Sequence, residues 1–354
     1  MVYNFNSGPS ILPQEVLEEA SKAIHDFHGT GLSILEIGHR TKAFEAVVEE
    51  SSALVRELMR LDADREVLFL HGGATTQFFQ VPMNLLDEKS VAAYLDCGIW
   101  GSKAVKEARL FGGVKVVASS ADRRHTYIPN GYEVPDDASY LHLTSNNTVE
   151  GTQMWAFPQT GVPLVADMSS DILSREMDFN RFSLIYAGAQ KNIGVAGVTM
   201  VVVDKRVLGK VTRSLPAMMD YRNHIENRSM LNTPPVFAIY VCLLTLRWLK
   251  RQGGLAVVER ANKRKAELLY EALESSGVFI PTVAKADRSH MNVVFVTREP
   301  EQENAFLELC KREGVVGVKG HRSVGGLRAS LYNALPESHV SHLIELMRHF
   351  EKTC

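Results

Sequence analysis

Ser183-Leu184-Ile185-Tyr186-Ala187-Gly188-Ala189-Gln190-Lys191-Asn192-Ile193-Gly194 places one lysine between two apolar runs. Residues 183–186 read as the end of a buried strand, and residues 198–203 follow at once as another. Gly188, Ala189 and Gly194 leave little side-chain bulk around a long amine. Burying an ammonium is costly and lowers its pKa. A lysine so placed is a free amine at neutral pH, able to attack an aldehyde. A strand-end lysine reaching for solvent has the same local signature, so the companions of Lys191 decide between the two.

Outward from that stretch, short apolar runs recur at 67–70, 91–95, 115–118, 140–143 and 164–166, with helical stretches between them. Short, nearly continuous apolar strands are what a sheet covered on both faces requires. Their alternation with helices predicts an α/β fold, with a mostly parallel, doubly wound, seven-stranded sheet flanked by helices. Such sheets bind ligands at the carboxyl ends of their strands. Upstream, Pro13 opens a helical pattern with Val16, Leu17, Ala20, Ile24 and Phe27 on one face, ended by Gly29 and Gly31. Thr41 is placed to cap the next helix. Gly253-Gly254 stops a later helix, and the texture changes there. Helices over 256–275, 301–313 and 337–350, with strands at 291–296, 315–318 and 328–332, read as a smaller α+β domain. The expected division is a large domain over 14–254 and a small C-terminal one over 255–354, joined by the N-terminal segment 1–13.

Composition narrows the class. With 45% hydrophobic and 23% charged residues, the 354-residue chain has the balance of an ordinary soluble protein. A net charge of −2 gives no electrostatic reason to expect nucleic acid or an anionic membrane as partner. Cys97, Cys242, Cys310 and Cys354 are scattered without a CxxC pair, which argues against a zinc site or disulfide framework and suits a reducing cytosol. The first nine residues carry no signal-peptide pattern. The longest apolar run, 236–246, stops at Arg247, well short of the roughly 20 residues of a spanning helix. A soluble cytoplasmic protein is expected.

The residues after each strand carry the chemistry. His71-Gly72-Gly73-Ala74-Thr75-Thr76 is a small-residue turn entering a helix, whose backbone N–H groups form an anion site. Trp100 follows the 91–95 run and offers a stacking surface. Thr144 to Gly151 is a polar loop rich in short donors. Asp167 ends its own run, and Lys191 lies 24 residues later (191 − 167), with one helix-length segment between. That spacing predicts neighbouring strands. Pyridoxal phosphate explains all four features together. An aspartate pairs with its ring nitrogen, a lysine holds its aldehyde as an imine, a tryptophan stacks on the ring and a helix start takes the phosphate.

Asn6-Ser7-Gly8-Pro9, Gly38-His39-Arg40, His71-Gly72-Gly73, Tyr186 to Asn192, Asn232-Thr233-Pro234-Pro235, Lys319-Gly320-His321-Arg322 and Gly326 to Ser330 together resemble the phosphoserine aminotransferases. These are class-V, fold-type-I pyridoxal phosphate enzymes, and the likeness runs from about residue 4 to the last helix. The resemblance implies amino transfer from glutamate to 3-phosphohydroxypyruvate in serine synthesis, with a further role in pyridoxine synthesis for some members. It implies pyridoxal 5'-phosphate as a covalent imine on Lys191, Asp167 on the ring nitrogen, Trp100 stacked on the ring and Thr148 on the ring hydroxyl. Ala74, Thr75 and Gln190 would hold the phosphate, joined by Asn232 and Thr233 from the neighbouring subunit of a homodimer. Some relatives carry Gly-Arg in place of Ala74-Thr75, so these two positions supply no positive charge here. Arg328 is implied as the α-carboxylate clamp, and His39, Arg40, His321 and Arg322 as the groups meeting the distal anion. Both substrates are dianionic, and guanidinium matches carboxylate and phosphate bidentately.

Two enzymes of the same fold type compete with this reading. A cysteine desulfurase needs a nucleophilic cysteine on a mobile loop, whereas Cys97, Cys242 and Cys310 lie in apolar or helical contexts. Alanine–glyoxylate transamination needs no distal anion clamp. A non-catalytic α/β ligand-binding protein is the alternative of another class. Against it stand the intact Lys191, Asp167 and Trp100, and no GxGxxG or GxxxxGK[ST] motif follows a strand.

Overall fold

The computed structural model describes residues 2–353. Strand β1 (Tyr3–Asn4) precedes helices α1 (Gln14–His25) and α2 (Lys42–Met59). There follow β2 (Arg65–His71), α3 (Ala74–Leu85), β3 (Val91–Asp96), α4 (Ile99–Ala108), β4 (Gly113–Ser119), β5 (Leu141–Thr144), β6 (Leu164–Asp167), β7 (Leu184–Gly188) and β8 (Val198–Asp204). Helices α5 (Tyr221–Glu226), α6 (Val236–Arg251) and α7 (Leu255–Glu274) come next. The chain closes through β9 (Phe279–Pro281), β10 (Asn292–Thr297), α8 (Pro300–Arg312), β11 (Val315–Val316), β12 (Leu327–Ser330) and α9 (Glu337–Thr353).

Seven strands form the central sheet in the order β2-β8-β7-β6-β5-β3-β4. Only β8 runs opposite to the other six. This is the mostly parallel α/β sheet that the apolar runs predict. Every residue of β5, β6, β7 and β8 is buried, as strands covered on both faces must be. At the edge, β4 leaves Lys115 and Val116 exposed. One apolar cluster packs α1, α2 and α6 on one face, through residues such as Phe44, Val55 and Ile239. Another packs α3, α4 and α5 on the opposite face, where Phe78, Tyr94, Tyr186 and Tyr221 meet.

The C-terminal residues have a core of their own, built from α7, α8 and α9 on the antiparallel sheet β9-β10-β12. Fully buried Phe5 belongs to that cluster, and β1 pairs in parallel with β11. The expected strand over 315–318 is therefore shorter, and it pairs with the N-terminus rather than with the small sheet. Strand β9 was not expected: a three-residue run ending in Pro281 has too few positions to show a period.

Helix α1 corrects one expectation. Val16, Ala20 and Ala23 are its buried stripe, whereas Leu17 is 47% exposed and Ile24 37%. A step of one residue turns about 100° around a helix, and α1 meets its neighbour along a narrower line than the apolar pattern spans. The helix stops at His25, ahead of Gly29 and Gly31, and Phe27 N–H donates to Leu32 O (2.7 Å) to close the loop. Thr41 caps α2 as expected, its hydroxyl accepting from Phe44 N–H. Among the described residues no helix is long and apolar enough to cross a membrane, and no group of three His, Cys, Asp or Glu is arranged to hold a metal.

Candidate active site

Strand β6 ends on Asp167, opposite Tyr186 of the parallel neighbour β7. Lys191 follows three residues past the end of β7 (191 − 188). Asp167 is 4% exposed, and its Oδ1 accepts from Ser169 N–H (2.9 Å) and Ser169 Oγ–H (2.6 Å). Ser169 Oγ in turn accepts from Gly188 N–H (3.1 Å), tying the ends of β6 and β7 together. Burial raises the Asp167 pKa, while Lys191 and the two Ser169 hydrogen bonds pull it back.

The Lys191 amine donates to Thr148 Oγ1 (2.7 Å) and Ser170 Oγ (2.8 Å), and the two hydroxyls bond to each other. Burial pushes its pKa from 10.5 down to about 8, with Asp167 opposing and Arg328 adding to the fall. The N-terminal segment closes over this loop. Ser10 N–H donates to Gln190 O (2.9 Å), and Ser10 Oγ–H bonds Lys191 O. At Gly8 (φ +142°) a Cβ would lie 3.5 Å from Lys191 Cγ. Gly194 instead makes room for α6, since a Cβ there would lie 2.7 Å from Cys242 Sγ.

The glycine turn after β2 forms one wall. Gly73 caps α3 without a side-chain hydrogen bond; Thr76 N–H donates to Gly73 O (3.1 Å), which leaves the N–H groups of Ala74 and Thr75 for an anion. Gly72 has φ +105°, and a Cβ there would fall 2.1 Å from Thr76 Oγ1, so only glycine permits this turn. Trp100 lies in the first turn of α4, with its indole nitrogen buried and unpartnered and Lys103 Nζ 4.4 Å from its ring. Gly72, Gly73, Ala74, Thr75 and Trp100, with Thr144, Asn146, Thr148, Asp167, Ser169, Ser170, Gln190 and Lys191, line a cleft of about 190 Å³ at the carboxyl ends of the strands. Ala74, Thr75, Trp100, Thr148, Asp167, Gln190 and Lys191 are thus brought together.

Arg328, on β12, reaches the rim. It is 7% exposed, donating from Nη2 to Ser7 Oγ (2.7 Å) and from Nη1 to Thr148 O (3.1 Å). Its Nε–H has no partner. Thr148 therefore touches both the amine and the guanidinium. His321 sits near enough to Arg328, Arg322 and Lys103 for all three to add to the lowering of its pKa, of which burial is the largest cause. Seven candidates lie outside the cleft lining: Arg328, His321 and Arg322, then His39 and Arg40, which precede α2, and Asn232 and Thr233, whose amide and carbonyl bond the His71 ring at 3.2 and 3.0 Å. Ser7, Ser169 and Ser170 were not singled out from sequence. An Asp-x-Ser turn is the signal that finds Ser169. Ser170 meets Lys191 across 21 residues, and no local pattern announces that contact.

The model of the class-V aminotransferases matches residues 2–343. The chain belongs to that family. The phosphoserine aminotransferase of Flavobacterium johnsoniae is 53% identical over 350 residues, spanning 99% of this chain and 98% of that one. The solved phosphoserine aminotransferase from Bacillus circulans subsp. alkalophilus is 46% identical with a TM-score of 0.97, covering 100% of this chain and 99% of that one. The PLP-bound phosphoserine aminotransferase from Trichomonas vaginalis is 34% identical with a TM-score of 0.94, covering 98% of this chain and 100% of that one. In this class-V aminotransferase Cys97, Cys242 and Cys310 are all buried, and burial pushes each thiol up to about 12. Among the described residues, then, no cysteine is a thiolate at neutral pH to serve as the nucleophile that a desulfurase needs.

Proposed function

We propose that this chain is a pyridoxal phosphate-dependent phosphoserine aminotransferase, moving the amino group of L-glutamate to 3-phosphohydroxypyruvate in serine biosynthesis. The products are 3-phospho-L-serine and 2-oxoglutarate. Formation of 4-phosphohydroxy-L-threonine for pyridoxine is proposed as a second use of the same site. The observation that carries the reading is Lys191 Nζ, held by Thr148 and Ser170 beside the buried Asp167 and linked through Thr148 to Arg328.

The residues present fit the cofactor. A buried carboxylate, an unpartnered indole beside it and an uncapped helix start line one cleft, matching a protonated ring nitrogen, an aromatic ring and a phosphate. Lys191 would hold the cofactor covalently, with Trp100 on the ring face, Asp167 on the ring nitrogen and Thr148 on the ring hydroxyl. Ala74, Thr75 and Gln190 would meet the phosphate, joined by Asn232 and Thr233 of the partner subunit in a homodimer. The cofactor supplies an electron sink for the pair left when the substrate Cα–H bond breaks.

The chain's own groups do the rest. Arg328, already desolvated, binds the α-carboxylate that both substrates share. Lys191 Nζ, neutral in a useful fraction at neutral pH, takes the proton from Cα. The Asp167 carboxylate keeps a proton on the ring nitrogen. His39, Arg40, His321 and Arg322 are proposed for the distal carboxylate or phosphate, some of them across the dimer. The division into residues 14–254 and 255–354, with 1–13 joining the smaller part, and the cytoplasmic location belong to the same proposal.

The test is the visible spectrum of the protein loaded with pyridoxal phosphate. Glutamate should bleach the band, and 3-phosphohydroxypyruvate should restore it. Restoration by glyoxylate, and not by the phosphorylated ketoacid, would move the specificity to alanine–glyoxylate chemistry. A protein that develops no band would sink the role given to Lys191.

A further inference from the structure

Asn192, next to Lys191 in the chain and 5% exposed, faces two parts of the molecule at once. Its Nδ2 donates to Ser170 O (3.1 Å), and Ser170 is the residue whose hydroxyl accepts from Lys191 Nζ. Its Oδ1 accepts from the backbone N–H of Asn333 (3.1 Å). Asn333 lies in the turn after β12, five residues beyond Arg328 (333 − 328). That turn is fastened from both sides. Lys265, buried on α7, donates to the carbonyls of residues 331, 332 and 335 at 2.9, 2.8 and 3.1 Å. Asn333 itself donates to Leu173 O (2.9 Å) and accepts from Asn262 (2.8 Å).

A buried ammonium and three buried or half-buried amides concentrated at one turn are costly to desolvate, and their satisfaction fixes a single geometry. The chemistry has a use for that geometry. The amine belongs to the loop after β7 of the central sheet, while the guanidinium stands on β12 of the small sheet. Substrate Cα must come within reach of Nζ while its carboxylate sits on Arg328, and a misplacement of about 1 Å costs roughly a hundredfold in rate. Thr148 makes one link between the two groups. The N-terminal segment makes another, through Ser10 on Lys191 O and Ser7 Oγ on Arg328, and neither link bonds the backbone of Asn333.

We infer that Asn192 is a positioning residue that makes a third link, clamping Ser170 to the turn after Arg328 and so setting the separation of amine and guanidinium. This rests on the aminotransferase reading above. One arm of the amide serves the amine through Ser170, and the other serves the carboxylate site through Asn333.

The arms separate in two variants of the full-length protein. Asn192→Ala releases both, so kcat should fall and KM for glutamate should rise, each about five- to tenfold, the worth of one net hydrogen bond. Asn333→Ala keeps the backbone N–H and loses only the anchors of the turn. It should raise KM by a similar factor and leave kcat within about twofold. The second readout is the pH dependence of trinitrobenzenesulfonate labelling at Lys191 in protein stripped of cofactor. The charges facing the amine, Asp167, Asp171 and Arg328, are the same in both variants. Asn192→Ala should move the labelling midpoint down, because a displaced Ser170 hydroxyl no longer accepts from the ammonium, while Asn333→Ala leaves it in place.

An Asn192→Ala protein with unchanged kcat, KM and midpoint, or one that loses only thermal stability, overturns the inference. Should Asn192→Ala fail to fold, an Asn333→Ala protein with unchanged KM overturns it equally. Wild-type protein that does not transaminate refutes the activity reading instead, and the labelling midpoints still report on the clamp.

Discussion

Lys191→Met tests the amine directly, because it removes the charge and keeps most of the bulk. Burial lowers the Lys191 pKa from 10.5 to about 8, so at pH 7 the neutral fraction rises about 300-fold over an ordinary lysine, to roughly a tenth. The same shift is a cost to folding. Between pH 8 and 10.5 the unfolded chain carries a proton on this lysine that the folded chain has lost, so stability rises with pH through that window. Below it, the folded protein bears the full penalty of about 3 kcal/mol relative to a neutral side chain. In cofactor-free protein, Lys191→Met should therefore be the more stable of the two at pH 7. Its advantage should shrink by about 3 kcal/mol as the pH is raised from 8 to 10.5. The assay is urea unfolding of both proteins at several pH values. Taking the difference cancels buried tyrosines such as Tyr94 and Tyr186, which also titrate in alkali. A difference that does not change with pH would refute the argument, since the amine would then have its ordinary pKa.

Three further outcomes follow from the geometry. Arg328→Ala should lower kcat/KM for glutamate and for phosphoserine alike, by about 30-fold or more for a buried, charge-assisted contact, and steady-state kinetics with both donors checks it. An effect on phosphoserine alone would assign the guanidinium to the distal anion. Gly72→Ala should cost about 1–3 kcal/mol in backbone strain and weaken pyridoxal phosphate, seen as a lower Tm and a poorer fluorescence titration, because its Cβ would collide with Thr76. Cys97→Ser should leave transamination within about twofold and release no sulfide from cysteine, since a buried thiol near pKa 12 is no nucleophile.

The apolar runs carry the central sheet because a strand covered on both faces must be apolar throughout, and β5 to β8 are. Asp167 and Lys191 are legible for a related reason: each stands at a strand end, and parallel neighbours bring their carboxyl ends together. Leu17 and Ile24 mark the limit of that logic. Periodicity gives the direction of a helix face, but the width of the buried stripe depends on the partner helix. Strand β9 is missed because pairing with β10, and no pattern of its own, makes it a strand.

By itself, then, the sequence determined the class of the fold, the strand-end placement of Asp167 and Lys191, and, through its motifs, the family. These are local or periodic properties, written within a few residues of where they act. The tertiary structure alone decided what surrounds the amine and what holds the clamp. Ser170 reaches Lys191 across 21 residues, Asn192 reaches Asn333 across 141, and Arg328 reaches Ser7 across 321. Hydrogen bonds at such separations are fixed by how the sheets and their connecting turns pack together, and serine or asparagine carries no mark in the sequence of the partner it will find.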